Sequence, residues 1–183
     1  DYLIVQVHPT SQYRIVDEQL EWYGDGWSFR GGIAQSYDHV SRMTWRSWSP
    51  MENLIRAVEL RPNVLYLQYR EKPQVGKGIV FQMRDSFRDE VSGFVNRSKD
   101  VQLENINFFY LGNFGVVCQY SENITVDHCN FAPRPGSGRT NAGFADFIQV
   151  SGCRGMVDIK NSRFVGAHDD PINIHGTHLR VIE

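Results

Sequence analysis

The stretch at 121–131, "SENITVDHCNF", has the same pattern as "SKDVQLENINF" at 98–108 and "RGMVDIKNSRF" at 154–164. In each, apolar residues alternate before a closing Phe: Val101, Leu103 and Phe108; Ile124, Val126 and Phe131; Val157, Ile159 and Phe164. Alternation with period two turns one face of a strand inward. The closing phenylalanines stand 23 and 33 residues apart, and the longer interval contains the Pro/Gly/Ser-rich "APRPGSGRTN" at 132–141. That segment reads as a ten-residue loop insertion, and without it both intervals are 23.

A repeat of this length without helical periodicity fits a turn of three short strands. The expected fold is therefore all-β, a right-handed parallel β-helix or solenoid. Each closing Phe precedes a second apolar segment, "FGVVCQ" (114–119), "FADFIQV" (144–150) and "DDPINIHG" (169–176), which should stack as another sheet. An antiparallel sandwich also uses many short strands, but it does not repeat its side-chain pattern.

Residues 1–75 lack the repeat. "YLIVQVHP" (2–9) and "YRIVDEQLEWYGDGWSF" (13–29) alternate and turn at Gly24-Asp25-Gly26, which is hairpin chemistry. In "SPMENLIRAVEL" (49–60) Ser49, Pro50 and Glu52 suit a capped helix start, with Met51, Leu54, Ile55 and Val58 at helical spacing. The expectation for 1–75 is a small, mostly antiparallel β module with one short helix. Residues 76–183 are expected to hold the parallel β-helix and the active site.

Composition narrows the function classes. The 183 residues are 22% charged and 41% hydrophobic with a formal net charge of −2, which argues against nucleic acid or an anionic membrane as the main partner. No apolar run approaches the roughly 20 residues that span a bilayer. Cys118, Cys129 and Cys153 are an odd set without metal-binding spacing, read as buried free thiols. The chain begins at Asp1 and ends at Glu183 inside a strand-like run, so it reads as an internal piece of a longer protein whose export signal is not in view.

The chemistry concentrates in "VGAHDDPINIHGTHLR" at 165–180. Equivalent positions on stacked parallel strands lie about 4.8 Å apart. Aligning Ile148 with Ile172 sets Asp146 over Asp170, with Asp169 beside them. One turn earlier, two residues before Val117, comes Gly115, which the alignment reads as open space next to the acids. Three carboxyls this close cannot all ionise freely, so an acid and a base should stand side by side at neutral pH, the pairing that glycosidic hydrolysis requires. His168, Asn173, His175, His178 and Arg180 are candidates to bind sugar, Arg180 equally to neutralise the acids. Asn105, Asn123 and Asn161 read as ladder residues at bends, and His8, His39 and His128 as scaffold. Calcium is a competing reading of three carboxylates, against which the neighbouring imidazoles and arginine speak.

"TNAGFADFIQVSGCRG" followed by "NSRFVGAHDDPINIHGTHLR" resembles glycoside hydrolase family 110, the bacterial α-1,3-galactosidases that remove terminal galactose from blood-group-B-type and linear α-galactosyl glycans. The Asp then Asp-Asp arrangement also resembles the pectin-cleaving family 28. The family-110 likeness runs through most of residues 76–183, and the first part is compatible with the barrel-like β module those enzymes carry. The resemblance implies a right-handed β-helix, an inverting exo-mechanism, no required metal or other cofactor, and Asp146, Asp169 and Asp170 as catalytic acids. Asp169 or Asp146 is favoured as base and Asp170 as acid.

It further implies an oligosaccharide or glycan partner ending in α-galactose, a periplasmic or secreted setting, and a solenoid compatible with a homodimer. Members are far longer than 183 residues, which implies further turns outside this stretch. Two alternatives stay open: a polygalacturonase-like hydrolase or lyase, and a non-catalytic glycan-binding β-helix.

Overall fold

The computed structural model describes residues 1–71, 73–176 and 180–182, and none of them is helical. The chain divides into two units, Asp1–Ser86 and Phe87–Glu183.

The first unit holds β1 (Tyr2–Gln6), β2 (Tyr13–Val16), β3 (Gln19–Gly24), β4 (Trp27–Phe29), β5 (Ile33–Asp38), β6 (Thr44–Arg46), β7 (Leu54–Arg61), β8 (Val64–Tyr69) and β9 (Ile79–Arg84). They form three antiparallel sheets, β1-β8-β7, β2-β3-β4 and β6-β5-β9. The expected turn closes β3 onto β4, with Gly24 opposite Trp27 and Gly26 in the left-handed region at φ +76°. Leu20, Leu65, Leu67 and Tyr69 lie at the centre of its core.

Two expectations are corrected here. The short helix does not form, because Leu54–Arg61 is a strand paired with β8. The Ser49 hydroxyl does accept a hydrogen bond from the Met51 N–H, but the turn goes no further: Asn53 has φ +56°. Pro62-Asn63, with Asn63 at φ +62°, then folds β7 back on β8, as expected for Pro followed by a left-handed Asn in a tight turn. The second correction concerns the boundary. Ile79–Arg84 pairs with Ile33–Asp38, so this strand falls in the first unit rather than with the repeats.

The second unit holds β10 (Gly93–Asn96), β11 (Lys99–Glu104), β12 (Asn107–Phe108), β13 (Val116–Gln119), β14 (Glu122–Asp127), β15 (Asn130–Phe131), β16 (Ile148–Ser151), β17 (Arg154–Lys160), β18 (Arg163–Phe164) and β19 (Ile172–His175). Three sheets result, β10-β13-β16-β19, β11-β14-β17 and β12-β15-β18, and every ladder in them is parallel. The repeats read from the sequence stand in register: Val101 with Ile124 and Val157, Leu103 with Val126 and Ile159, Phe108 with Phe131 and Phe164. Not all of the extra length lies in the loop. Glu122 pairs with Arg154 but Ile124 with Val157, so one added residue is a bulge in β17, where Gly155 has φ +74°.

Left-handed residues mark the bends. Arg97, Tyr120 and Gly152 do so after the first sheet, and Asn105, His128 and Asn161 after the second. Two of the three expected ladder asparagines therefore share one bend column; the third, Asn123, at φ +56°, bridges repeats in another, donating its side-chain N–H to Asp100 Oδ1 at 2.7 Å and accepting from the Met156 N–H at 3.1 Å.

Inside, the Phe131 ring stacks on Phe108 at 4.4 Å and on Phe164 at 4.8 Å, and Phe147 joins at 5.6 Å. Each such pair adds about 0.5–1.5 kcal/mol to the burial itself. The cysteines are free; Cys118 and Cys129 are buried among these residues.

Candidate active site

The carboxyl cluster follows from the register of one sheet. Ile148 pairs with Ile172, as the alignment expected, so Asp146 and Asp170 lie level two residues before them. Backbone bonds carry the alignment beyond the strands: Phe147 N–H donates to Asp170 O at 3.2 Å and Ile148 N–H to Pro171 O at 3.3 Å.

The three carboxyls sit at different depths. Asp146 is 2% exposed, the Asp169 side chain 29%, and Asp170 is exposed. Asn173 Nδ2 donates to Asp146 Oδ2 at 3.3 Å. Burial pushes the Asp146 carboxyl above the ordinary aspartate range. Asn173 opposes that shift, Asp169 adds to it, Arg88 opposes it, and Asp170 adds a smaller share. Asp169 is tied to Arg88, whose Nη2 donates to its Oδ2 at 2.5 Å, and the same guanidinium lies 5.6 Å over the Phe114 ring.

The register also corrects the reading of Gly115. Ile148 pairs with Val116, not Val117, so the residue level with Asp146 in the preceding repeat is Phe114. No open space lies at Gly115. A Cβ there would come within 2.5 Å of the Phe147 carbonyl oxygen and closer still to that of Asp146, and its φ is +67°. Glycine is needed because the next strand's backbone fills the position.

The expected sugar-binding residues are not all alike. Asn173 and His175 occupy alternate positions of β19, with Asn173 level with Gln149 and His175 with Ser151. Gln149 Nε2 and His175 Nε2 are 3.5 Å apart, and His175 Nδ1 is 2.8 Å from Gly176 O. His168 is completely buried, which differs from the expectation that its ring faces a sugar. His178 lies outside the described residues, and Arg180 is exposed.

Among the described residues Asp169 is paired with Arg88, which the sequence reading missed in the polar run "RDSFRDE". Phe114 was missed with it. Both line a shallow groove of about 450 Å³ together with Asp89, Glu90, Val91 and Phe94. Among the described residues, no group of three or more His, Cys, Asp or Glu side chains is placed to hold a metal ion.

No family model matches the chain. It is 89% identical over 183 residues to alpha-1,3-galactosidase A of Bacteroides thetaiotaomicron, covering 100% of this chain and 32% of that protein. It is 40% identical over 193 residues to alpha-1,3-galactosidase A of Streptomyces avermitilis, covering 99% and 31%. To alpha-1,3-galactosidase B of Phocaeicola vulgatus it is 33% identical over 168 residues, covering 88% and 27%. The chain thus spans about a third of the length of the curated relatives it matches. Over that third, it belongs to the family of the proteins named alpha-1,3-galactosidase.

Proposed function

We propose that this chain is the acid-bearing part of a glycoside hydrolase that removes terminal α-1,3-linked galactose from a glycan with inversion. The observation that carries this is the gathering of Asp146, Asp169 and Asp170 in three unlike settings: Asp146 buried beside Asn173, Asp169 paired with Arg88, and Asp170 exposed. Environments that separate neighbouring carboxyls in this way supply a proton donor and a carboxylate at one pH. The relatives' names supply the substrate. The three in-register parallel sheets support the finer reading of the second unit as turns of a right-handed β-helix.

In this mechanism Asp170, the most exposed of the three, protonates the leaving glycosidic oxygen, and a water attacks the anomeric carbon from the opposite face. Asp169 or Asp146 takes the proton of that water. Asp146 is almost fully buried while Asp169 is partly open to solvent, which favours Asp169 as the group a water can reach. Inversion asks for roughly 6.5–9.5 Å between the acid and base carboxyls, enough for one water. Asn173 and His175 are assigned to sugar hydroxyls on the same sheet. A periplasmic or secreted setting, where such glycans are met, is proposed with it.

The test uses the full-length protein and its Asp169→Asn and Asp170→Asn variants on an α-1,3-linked galactose disaccharide, with the released anomer followed by proton NMR. Release of β-galactose by the wild type, and at least a hundredfold less by each variant, is the expected result. Release of α-galactose refutes inversion, and no release of galactose refutes the substrate.

A further inference from the structure

Phe114, Asp146 and Asp170 are each two residues before strands that pair in order, at Val116, Ile148 and Ile172. They therefore form one column, and its first member is an aromatic ring rather than a third acid. Arg88 lies against that ring, its guanidinium carbon 5.6 Å from the ring centre. From there its Nη2 reaches Asp169 Oδ2, 81 residues along the chain. Both side chains are largely shielded, at 24% and 29% exposure, so water weakens the contact less than it would at a fully exposed pair.

We propose that Arg88 is a positioning residue for the hydrolysis: braced on Phe114, it fixes the rotamer of Asp169 and offsets the mutual repulsion of the three carboxylates. This rests on the galactosidase reading given above. The two halves of the role are separable. The ion pair orients the Asp169 carboxylate through its Oδ2. The positive charge lowers the cost of a second ionised group beside Asp146, whose carboxyl Arg88 pulls downward against Asp169 and Asp170. A guanidinium suits this place because its flat face packs on a ring while its edge donates to a carboxylate; an ammonium can supply the charge but not the bracing.

The experiment compares full-length wild type with Arg88→Met, Arg88→Lys and Phe114→Leu on p-nitrophenyl α-galactoside across pH, with thermal melting as the check on folding. For Arg88→Met, kcat should fall about a hundredfold, the scale of a misplaced catalytic group, with KM changed by less than about threefold. Its acidic limb should move to higher pH, because losing the cation removes a pull that holds the Asp146 carboxyl down. Arg88→Lys should keep the wild-type limb while losing about tenfold in kcat, and Phe114→Leu should resemble it. A folded Arg88→Met enzyme with wild-type kcat and an unmoved limb overturns the proposal. If Arg88→Met does not fold, Arg88→Lys decides: a wild-type rate there overturns it equally. An inactive wild type refutes the galactosidase reading itself, and the role of Arg88 falls with it. An active wild type with indifferent variants removes Arg88 alone.

Discussion

Replacing Gly115 by alanine joins the architecture of the second unit to its chemistry. The residue has φ +67°, a conformation costing an L-residue roughly 1–2 kcal/mol, of which about 0.4–1 is returned by the stiffer unfolded chain. The larger cost is steric. The new Cβ would press on the carbonyl oxygens of Asp146 and Phe147, which are backbone atoms and cannot swing aside. Overpacking of this kind costs about 1–3 kcal/mol, for a total near 3 kcal/mol. Gly136 is the matched control: its φ is +75°, but a Cβ there meets nothing within 4 Å. Gly136→Ala should lose about 1 kcal/mol.

With a urea dependence of about 2 kcal/mol per molar, the two midpoints should differ by roughly 1 M. The chain's four tryptophans, Trp22, Trp27, Trp45 and Trp48, all lie in the first unit, so unfolding of the second must be followed by far-UV circular dichroism. Midpoints for Gly115→Ala and Gly136→Ala within about 0.2 M of each other would refute the close approach of the Asp146 backbone.

Other predictions test the core, the acids and the thiols. Phe131→Ala empties the middle of the stacked rings and should cost about 3–5 kcal/mol in urea unfolding; a loss below about 1 kcal/mol contradicts its central place. Asp146 binds its proton more tightly folded than unfolded, so its contribution is best below the ordinary value of 3.8 and worsens as pH rises through and above it. Asp146→Asn should therefore raise the melting temperature at pH 7 and lose that gain toward pH 4; a variant less stable than wild type at pH 7 contradicts the shift. Burial pushes the Cys118 thiol up to about 11, which leaves about 0.1% thiolate at pH 8. Cys118 and Cys129 should stay unmodified by a disulfide reagent until urea is added, with at most the half-buried Cys153 reacting early. Three fast thiols in the folded protein would contradict the packing.

The sequence was readable wherever a residue pattern was itself the physical cause. Val101, Ile124 and Val157 are spaced by the repeat that stacks them, so strand, face and register came together. The same logic put Asp146 over Asp170 from the single match of Ile148 with Ile172. It failed at "FGVVCQ" because Val116, Val117 and Cys118 are all buried, and an unbroken apolar run carries no phase. One residue of slip replaced Phe114 by Gly115.

The false helix at 49–60 has a related cause. Its start signals are real and form a local turn, but Asn53 at φ +56° ends it, and pairing with β8 outweighs helical spacing over so few residues. Arg88 had no local signal of any kind. Its meaning comes from a partner 81 residues away.

The segment 132–141 enters this unit between β15 and β16, and the pairings on either side of it hold: Phe131 meets Phe164, and Val116 meets Ile148. Arg134 lies over Phe109 at 4.9 Å and Arg139 over Tyr110 at 4.2 Å, moored to the preceding repeat. Because each strand takes its address from the one stacked beside it, added length between two strands is not passed on to the next. The middle of the loop can be lengthened, shortened or rewritten while Asp146 and Asp170 are kept level by the ladder of Val116, Ile148 and Ile172. Such a scaffold lets its connections vary without renegotiating the register of the acids.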